Sequence, residues 1–269
     1  MVIQHNIAAN NAYRNLSANS ANGQKNLEKL SSGYRINRSA DDAAGLAISE
    51  QMRSKINGLD QATSNANDAI GLIQTAEGAL TETHSMLQRM VTLATQSANG
   101  TYNSTARGAI AEEVDALQKE INRIASTTDY NGVKPLSQTN TITVQIGPTA
   151  GEKLEVATAA MGTAALDIDA ISVTSTTKAN TAITKINDAI NIVSKHRAKL
   201  GASQNRLEHT INNLKSTNEN MTAAESRIRD TDMAKEMAAF TKNNILNQAA
   251  QSMLSQANQQ PQGVLSLLR

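Results

Sequence analysis

The chain contains no cysteine, which excludes disulfides, thiolate metal sites and thiol catalysis. It has no tryptophan, one phenylalanine and four tyrosines, so aromatics make up only 2% of the sequence. A wide globular core draws on large rings, whereas Ala, Ile, Leu and Met suffice for the thin seam between long helices. Charge of one sign is also missing. Lys and Arg number 25 against 24 Asp and Glu, a net +1 that offers no field for nucleic acid or an anionic membrane. No segment is apolar enough to span a bilayer, and the opening MVIQHNIAANNAYRNL lacks a cationic leader and a continuous hydrophobic stretch. These signals alone predict a cytoplasmic chain without membrane insertion, unless export needs no such leader.

The groups that carry chemistry are scattered. His5, His84, His196 and His209 form no helical pair spaced for zinc, which points to solvated or structural roles. Asp41-Asp42 and Glu112-Glu113 are adjacent acids, and neighbours on a helix point in different directions rather than into one two-carboxylate site. Neither a phosphate-binding glycine loop nor a Gly-x-Ser-x-Gly elbow occurs. The sequence therefore predicts no enzyme, no metal and no cofactor.

What is present is heptad order. Met52, Leu59, Ala66, Ile73, Leu80, Leu87 and Ala94 keep strict seven-residue spacing, and so do Ile186, Val193, Leu200, Leu207, Leu214, Met221 and Ile228. Each ladder is a narrow apolar seam that is buried by lying along another helix, so the front and rear of the chain are expected to meet. The front helix should run from Ala43 to Ala98, roughly 80 Å at the usual rise. Gly45, Gly58, Gly71 and Gly78 weaken it, leaving it dependent on its partners. Ile110, Val114, Leu117, Ile121 and Ile124 mark a shorter antiparallel companion, stopped by Tyr130-Asn131-Gly132 and Pro135.

The period then changes to two. Ile142, Val144 and Ile146 alternate with Thr141, Thr143 and Gln145, and after Gly147 to Gly151 come Leu154 and Val156, which reads as a small β-hairpin. Residues 161–174 show no readable pattern. Ser175 to Lys178 supply hydroxyl caps for a rear helix starting near Ala179.

The extremities differ in kind. Ile3, Ile7, Leu16, Leu27 and Leu30 are sparse among Asn, Ser and Gln, too few to hold a helix alone. Met233, Met237, Phe240, Leu246, Met253 and Leu254 form a broader stripe in which the methionines either fill a seam, as their helical spacing favours, or make an adaptable surface. Such ends are expected to be frayed in a monomer and built for burial by neighbours. The fold class is mainly α: a long antiparallel coiled-coil bundle with paired terminal helices and a small β-hairpin. Residues 1–41 with 226–269 form the terminal pair, 42–137 with 176–225 the bundle, and 138–175 the hairpin with a reduced variable region.

Leu30-Ser31-Ser32-Gly33-Tyr34-Arg35-Ile36-Asn37 and Asp41-Asp42-Ala43-Ala44-Gly45-Leu46-Ala47-Ile48 resemble the amino-terminal signature of bacterial flagellin. Asn6-Ile7-Ala8-Ala9, Leu87-Gln88-Arg89 and Asp129-Tyr130-Asn131-Gly132 extend the likeness. Leu200-Gly201-Ala202, Gln204-Asn205-Arg206-Leu207 and the run from Ala223 to Ala234 are similar to the carboxy-terminal half. Only residues from about Gln138 to Thr174 fall outside it.

The resemblance implies a subunit of the flagellar filament whose termini pair as an inner coiled coil, with outer domains nearly absent because the middle is short. It implies export, unprocessed, through the flagellum's own channel to an extracellular filament. The implied partners are further copies of the chain, the flagellar export apparatus and an export chaperone, and hook-associated and filament cap proteins. Toll-like receptor 5 is a further implied partner, with Arg89, Leu93 and Glu113 at the matching positions; Met90-Val91-Thr92 stands where the family's receptor-binding helix commonly carries an Arg-Glu pair. Two other classes share features. A chemoreceptor-like rod would turn through a short tip, against the β-period near Ile142, and hook-associated proteins carry a larger middle. A flagellin bearing a protease would need metal ligands, and Gln138 to Thr174 holds no His.

Overall fold

The computed structural model describes residues 6–267, with side chains through residue 260. Its order is α1 (Ile7–Ser32), α2 (Ala43–Ala98), α3 (Ser104–Thr127), β1 (Thr141–Gln145), β2 (Lys153–Ala157), α4 (Thr176–Arg229) and α5 (Met233–Leu267). The mainly α class, the bundle, the terminal helices and the hairpin agree with the sequence reading. Two compact units are distinguished, one of Met1–Ile56 with Glu219–Arg269 and the other of Asn57–Asn218.

The Asn57–Asn218 unit has one hydrophobic core. Ala66, Ile73, Leu80, Leu87 and Ala94 of α2 meet Ile186, Val193, Leu200 and Leu207 of α4 in it, so the two ladders bury each other. The helices run antiparallel, since Asp60 accepts a hydrogen bond from Asn218 at 2.7 Å and Glu77 pairs with Arg197 at 3.5 Å. Leu59 and Leu214 are also buried. From α3, Ile110, Val114 and Ile121 enter the same core. The α3 amino terminus is capped by Asn103, whose Oδ1 accepts from the Ala106 N–H at 2.8 Å.

After α3, Asn131 and Gly132 take φ of 51° and 83°, the pair of left-handed residues that an Asn-Gly turn adopts, and Tyr130 bridges Val133. The strands are antiparallel with Ile142 opposite Val156 and Val144 opposite Leu154. Gly58 and Gly71 explain why α2 tolerates poor helix formers. A Cβ on Gly71 would stand 2.9 Å from the Tyr130 hydroxyl, and one on Gly58 would stand 2.7 Å from Pro148 in the hairpin turn.

Residues 161–174, unreadable in sequence, form a strap sealed to the bundle. Met161, Leu166, Ile168 and Val173 are buried. Buried Gln118 donates to the Ile168 carbonyl, Ser97 donates to the Val173 carbonyl, and Asn122 exchanges two hydrogen bonds with Thr163 at 2.7 and 2.9 Å. The strap leads to Ser175, which caps α4 three residues earlier than expected.

In the other unit, Met52, Met221 and Ile228 continue the ladders but are only half-buried. The terminal segments, expected to be frayed, form helices that pack on each other, and α1 contains no fully buried residue. The amide groups explain how a helix with so little burial is held. Asn6 caps α1 through the Ala9 N–H at 3.0 Å and reaches the Ala257 carbonyl at 2.8 Å.

Candidate functional site

The described residues contain no group of three or more His, Asp or Glu side chains arranged to hold a metal, and no described helix is long and apolar enough to cross a membrane. The chemistry worth building is therefore that of surfaces.

Along α1, the half-buried positions are Ala9, Ala12, Leu16, Asn19, Gly23, Asn26 and Leu30, alternating steps of three and four. On α5 the corresponding set runs through Glu236, Phe240, Asn243, Asn247, Ala250, Leu254 and Ala257. This seam alternates small residues and amides with four larger apolar side chains, Leu16, Leu30, Phe240 and Leu254. Gly23 faces Asn247, whose amide nitrogen lies 3.8 Å from where a Cβ would be, an ordinary contact distance. The Asn26 amide, oriented to satisfy both neighbours, donates to Glu236 at 2.9 Å and accepts from Asn243 at 3.0 Å. The sequence analysis names Leu16, Leu30, Phe240 and Leu254 of this seam but not its Ala, Asn and Gly members, because it weighs only apolar residues.

Other large apolar side chains of the pair lie outside this seam. Ile7 is 68% exposed, Leu27 56%, Met237 51%, Ile245 61% and Met253 59%, with Met233 and Leu246 also exposed. Leu16, Leu30, Phe240 and Leu254 are half-buried, and Ile3 lies outside the described residues. Tyr13, which the periodicity did not single out, is 64% exposed as well. Monomeric proteins seldom expose so many large apolar side chains on one helix pair.

The connections beside this pair are zipped together. Gly33 takes φ 76° at the end of α1, where its N–H closes onto the Lys29 carbonyl at 2.9 Å. Arg35 N–H donates to the Arg229 carbonyl at 2.7 Å, and Thr231 N–H to the Gly33 carbonyl at 3.0 Å. The Arg229 guanidinium lies 4.8 Å from the Tyr34 ring centre and also pairs with Glu50. That hydrogen bond holds the Glu50 carboxyl below its ordinary range, and N–H donation from Arg38 and Asn37 does the same for Asp41. Ile36 is buried under these links. The motif from Leu30 to Asp42 thus serves to join two connections.

Of the three receptor candidates, Arg89 and Glu113 form an exposed ion pair at 2.8 Å between α2 and α3. Leu93, the third candidate, is not on the surface with them. It is 2% exposed and lies in the core, because it adjoins the ladder residue Ala94 on the buried face.

Comparison with known proteins agrees with the helical ends. The family described as "Bacterial flagellin N-terminal helical region" matches residues 3–141, and "Bacterial flagellin C-terminal helical region" matches residues 183–268. A flagellin of Halalkalibacterium halodurans is 54% identical over 272 residues, covering all of both chains. A flagellin of Bacillus subtilis is 52% identical over 305 residues, again covering both in full. Among solved structures, a Bacillus cereus flagellin superposes with a TM-score of 0.52 at 33% identity, over 60% of this chain and 94% of that one. A structure described as a putative flagellar hook-associated protein from Vibrio parahaemolyticus has a TM-score of 0.61 at 12% identity, over 71% of this chain and 100% of that one, a likeness of fold alone.

Proposed function

The chain belongs to the bacterial flagellins, and from that premise we propose that it builds the filament by burying the outer faces of its terminal helix pair against neighbouring copies. It is a structural subunit of the extracellular flagellar filament, not an enzyme. The observation that carries the mechanism is the apolar surface left on α1 and α5: their mutual seam covers only four large apolar side chains, and those no more than half, while Ile7, Leu27, Met237, Ile245 and Met253 stay exposed. Each such side chain contributes roughly 1.5 to 3 kcal/mol when fully buried, so a few per subunit offset the cost of ordering the ends. Contacts between copies are head-to-tail and repeat without closing, which yields an open helical polymer.

Purified chain added to filament fragments should elongate them in electron micrographs, whereas a chain ending at Arg229, lacking α5, should remain monomeric. Growth of the truncated chain at the full-length rate would remove α5 from the mechanism. The reading includes export through the flagellar channel with a chaperone, and contacts with hook-associated and cap proteins at the filament ends. Recognition by Toll-like receptor 5 rests on Arg89 and Glu113, the candidates that a partner can reach without opening the core. Arg89→Ala should weaken receptor activation by about tenfold while leaving polymerisation intact. Equal activation by the variant would assign the pair to the bundle surface.

A further inference from the structure

We infer that Asn99, just past the carboxy-terminal end of α2, is a site of spontaneous deamidation, selected by its surroundings from the four Asn-Gly pairs of the chain: Asn22-Gly23, Asn57-Gly58, Asn99-Gly100 and Asn131-Gly132. The chemistry is the same at each pair. The glycine N–H gives its proton to hydroxide, the nitrogen bonds to the asparagine Cγ, and the side-chain amide leaves as ammonia, taking its extra proton from water. A second water opens the cyclic imide at one carbonyl or the other, which leaves aspartate or its isomer linked through the side chain. Glycine suits the attack because no Cβ crowds its nitrogen. Ring closure also needs an asparagine backbone that can turn, a glycine N–H free to ionise, and donors placed where negative charge develops.

The helical pairs fail the first requirement. Gly23 and Gly58 lie inside α1 and α2, where the asparagine backbone is fixed and the glycine N–H belongs to the helical hydrogen-bond pattern. Asn131 and Gly132 are exposed but held. Tyr130 and Val133 exchange backbone hydrogen bonds across them at 2.9 and 3.0 Å, and the Gly132 N–H donates to the Asp129 carboxylate at 3.1 Å. A carboxylate there opposes a second negative charge on the nitrogen it accepts from. Asn99 has the converse setting. It and Gly100 are exposed beyond the last residue of α2, and the Gly100 N–H has no acceptor among the described residues. The Arg107 guanidinium donates to the Asn99 carbonyl at 3.1 Å, and the Tyr102 N–H reaches the same oxygen at 3.4 Å. That oxygen belongs to the peptide unit that must lose its proton and shares the resulting charge by resonance, so a cation on it makes the N–H more acidic. The Thr101 N–H donates at 3.2 Å to Asn99 Oδ1, the oxygen that turns negative when Cγ is attacked. Both developing charges thus meet donors already in place. The isomerised product adds a methylene to the backbone between α2 and α3 and moves the carbonyl that Arg107 holds.

The test is a time course of the full chain at mildly alkaline pH, read by mass spectrometry of tryptic peptides, since trypsin leaves the four pairs in separate peptides. In the folded chain Asn99 should be converted first, Asn131 about tenfold or more slowly, and Asn22 and Asn57 more slowly still. In concentrated urea the four rates should converge, because the pairs are then alike. Arg107→Gln, with helicity checked by circular dichroism, should slow Asn99 by about tenfold in the folded chain and leave it unchanged in urea. Asp129→Asn should quicken Asn131 and leave Asn99 as it was. The wild-type chain alone is enough to overturn the inference: Asn131 or a helical pair reacting as fast as Asn99 when folded, or the same ranking persisting in urea, would show that the fold does not select Asn99. An Arg107→Gln chain that folds and converts Asn99 at the wild-type rate or faster would overturn the part given to the guanidinium.

Discussion

Gly71 and Gly78 lie two turns apart on α2 and have different surroundings. A methyl at Gly71 would meet the Tyr130 hydroxyl at 2.9 Å, whereas nothing lies within 4 Å of a Cβ at Gly78. Gly78→Ala should therefore stabilise the chain by about 0.5 to 1 kcal/mol through helix propensity, and Gly71→Ala should lose that gain to the displaced Tyr130 loop. Urea unfolding of the two variants checks the difference in sign. His196 supplies a pH dependence. It lies buried on α4 between the ladder residues Val193 and Leu200, and burial, with Lys199 nearby, holds its pKa below the ordinary His value. The unfolded chain then binds a proton that the folded chain resists. Stability should be level above about pH 6.5 and fall as pH drops below it, before the carboxylates titrate. A His196→Leu variant should show a shallower decline between about pH 6.5 and 5 in the same unfolding series. An unchanged decline would assign the acid sensitivity to other groups.

At the scale of elements, the strap of residues 161–174 shows how a segment without periodicity can still be tightly specified. Its apolar residues are spaced irregularly because it follows the surface of the bundle rather than a helix or a strand of its own. Three polar side chains of the helices, Ser97, Gln118 and Asn122, accept or donate to its backbone. Gln118→Ala should cost about 1 to 3 kcal/mol, the price of a buried carbonyl at Ile168 left without its donor. Thermal unfolding of the variant measures this, and a loss under about 0.5 kcal/mol would mean that the strap is held by packing alone. The pair of α1 and α5 is the converse case, regular in period yet poor in burial. Amides in a heptad seam favour one register over others at some expense of stability, which suits helices whose outer faces remain available.

For the whole molecule, burial is unequally shared. The Asn57–Asn218 unit has a continuous core from three helices, the hairpin and the strap, while α1 has no fully buried residue. Removing α5 by ending the chain at Arg229 should therefore abolish filament growth and yet leave the main thermal transition of the bundle within about 2 °C of the full-length value. A large fall in that transition would show that the terminal helices support the core. The long helices, their antiparallel pairing, the hairpin and its turn were all legible, because each depends on a repeat of seven, of three and four, or of two that the residues display directly. The start of α4, the strap and the amide seam were less so. Ser175 was one of several possible caps, and a strap has no period to find.

The sequence by itself determined which segments are helical and which faces of α2, α3 and α4 turn inward, since periodic apolar side chains leave one way to be buried. It also determined, through its signature residues, the family. Only the tertiary structure decided that Leu93 is core while Arg89 and Glu113 stay outside, that Gly71 makes room for Tyr130, and that α1 and α5 meet through Ala, Asn and Gly beside a few larger side chains, with Ile7, Leu27, Met237, Ile245 and Met253 left exposed. The reason is physical. Hydrophobic character says that a residue gains by burial, but which neighbour covers it depends on how closely two backbones approach, and small residues and amides set that distance.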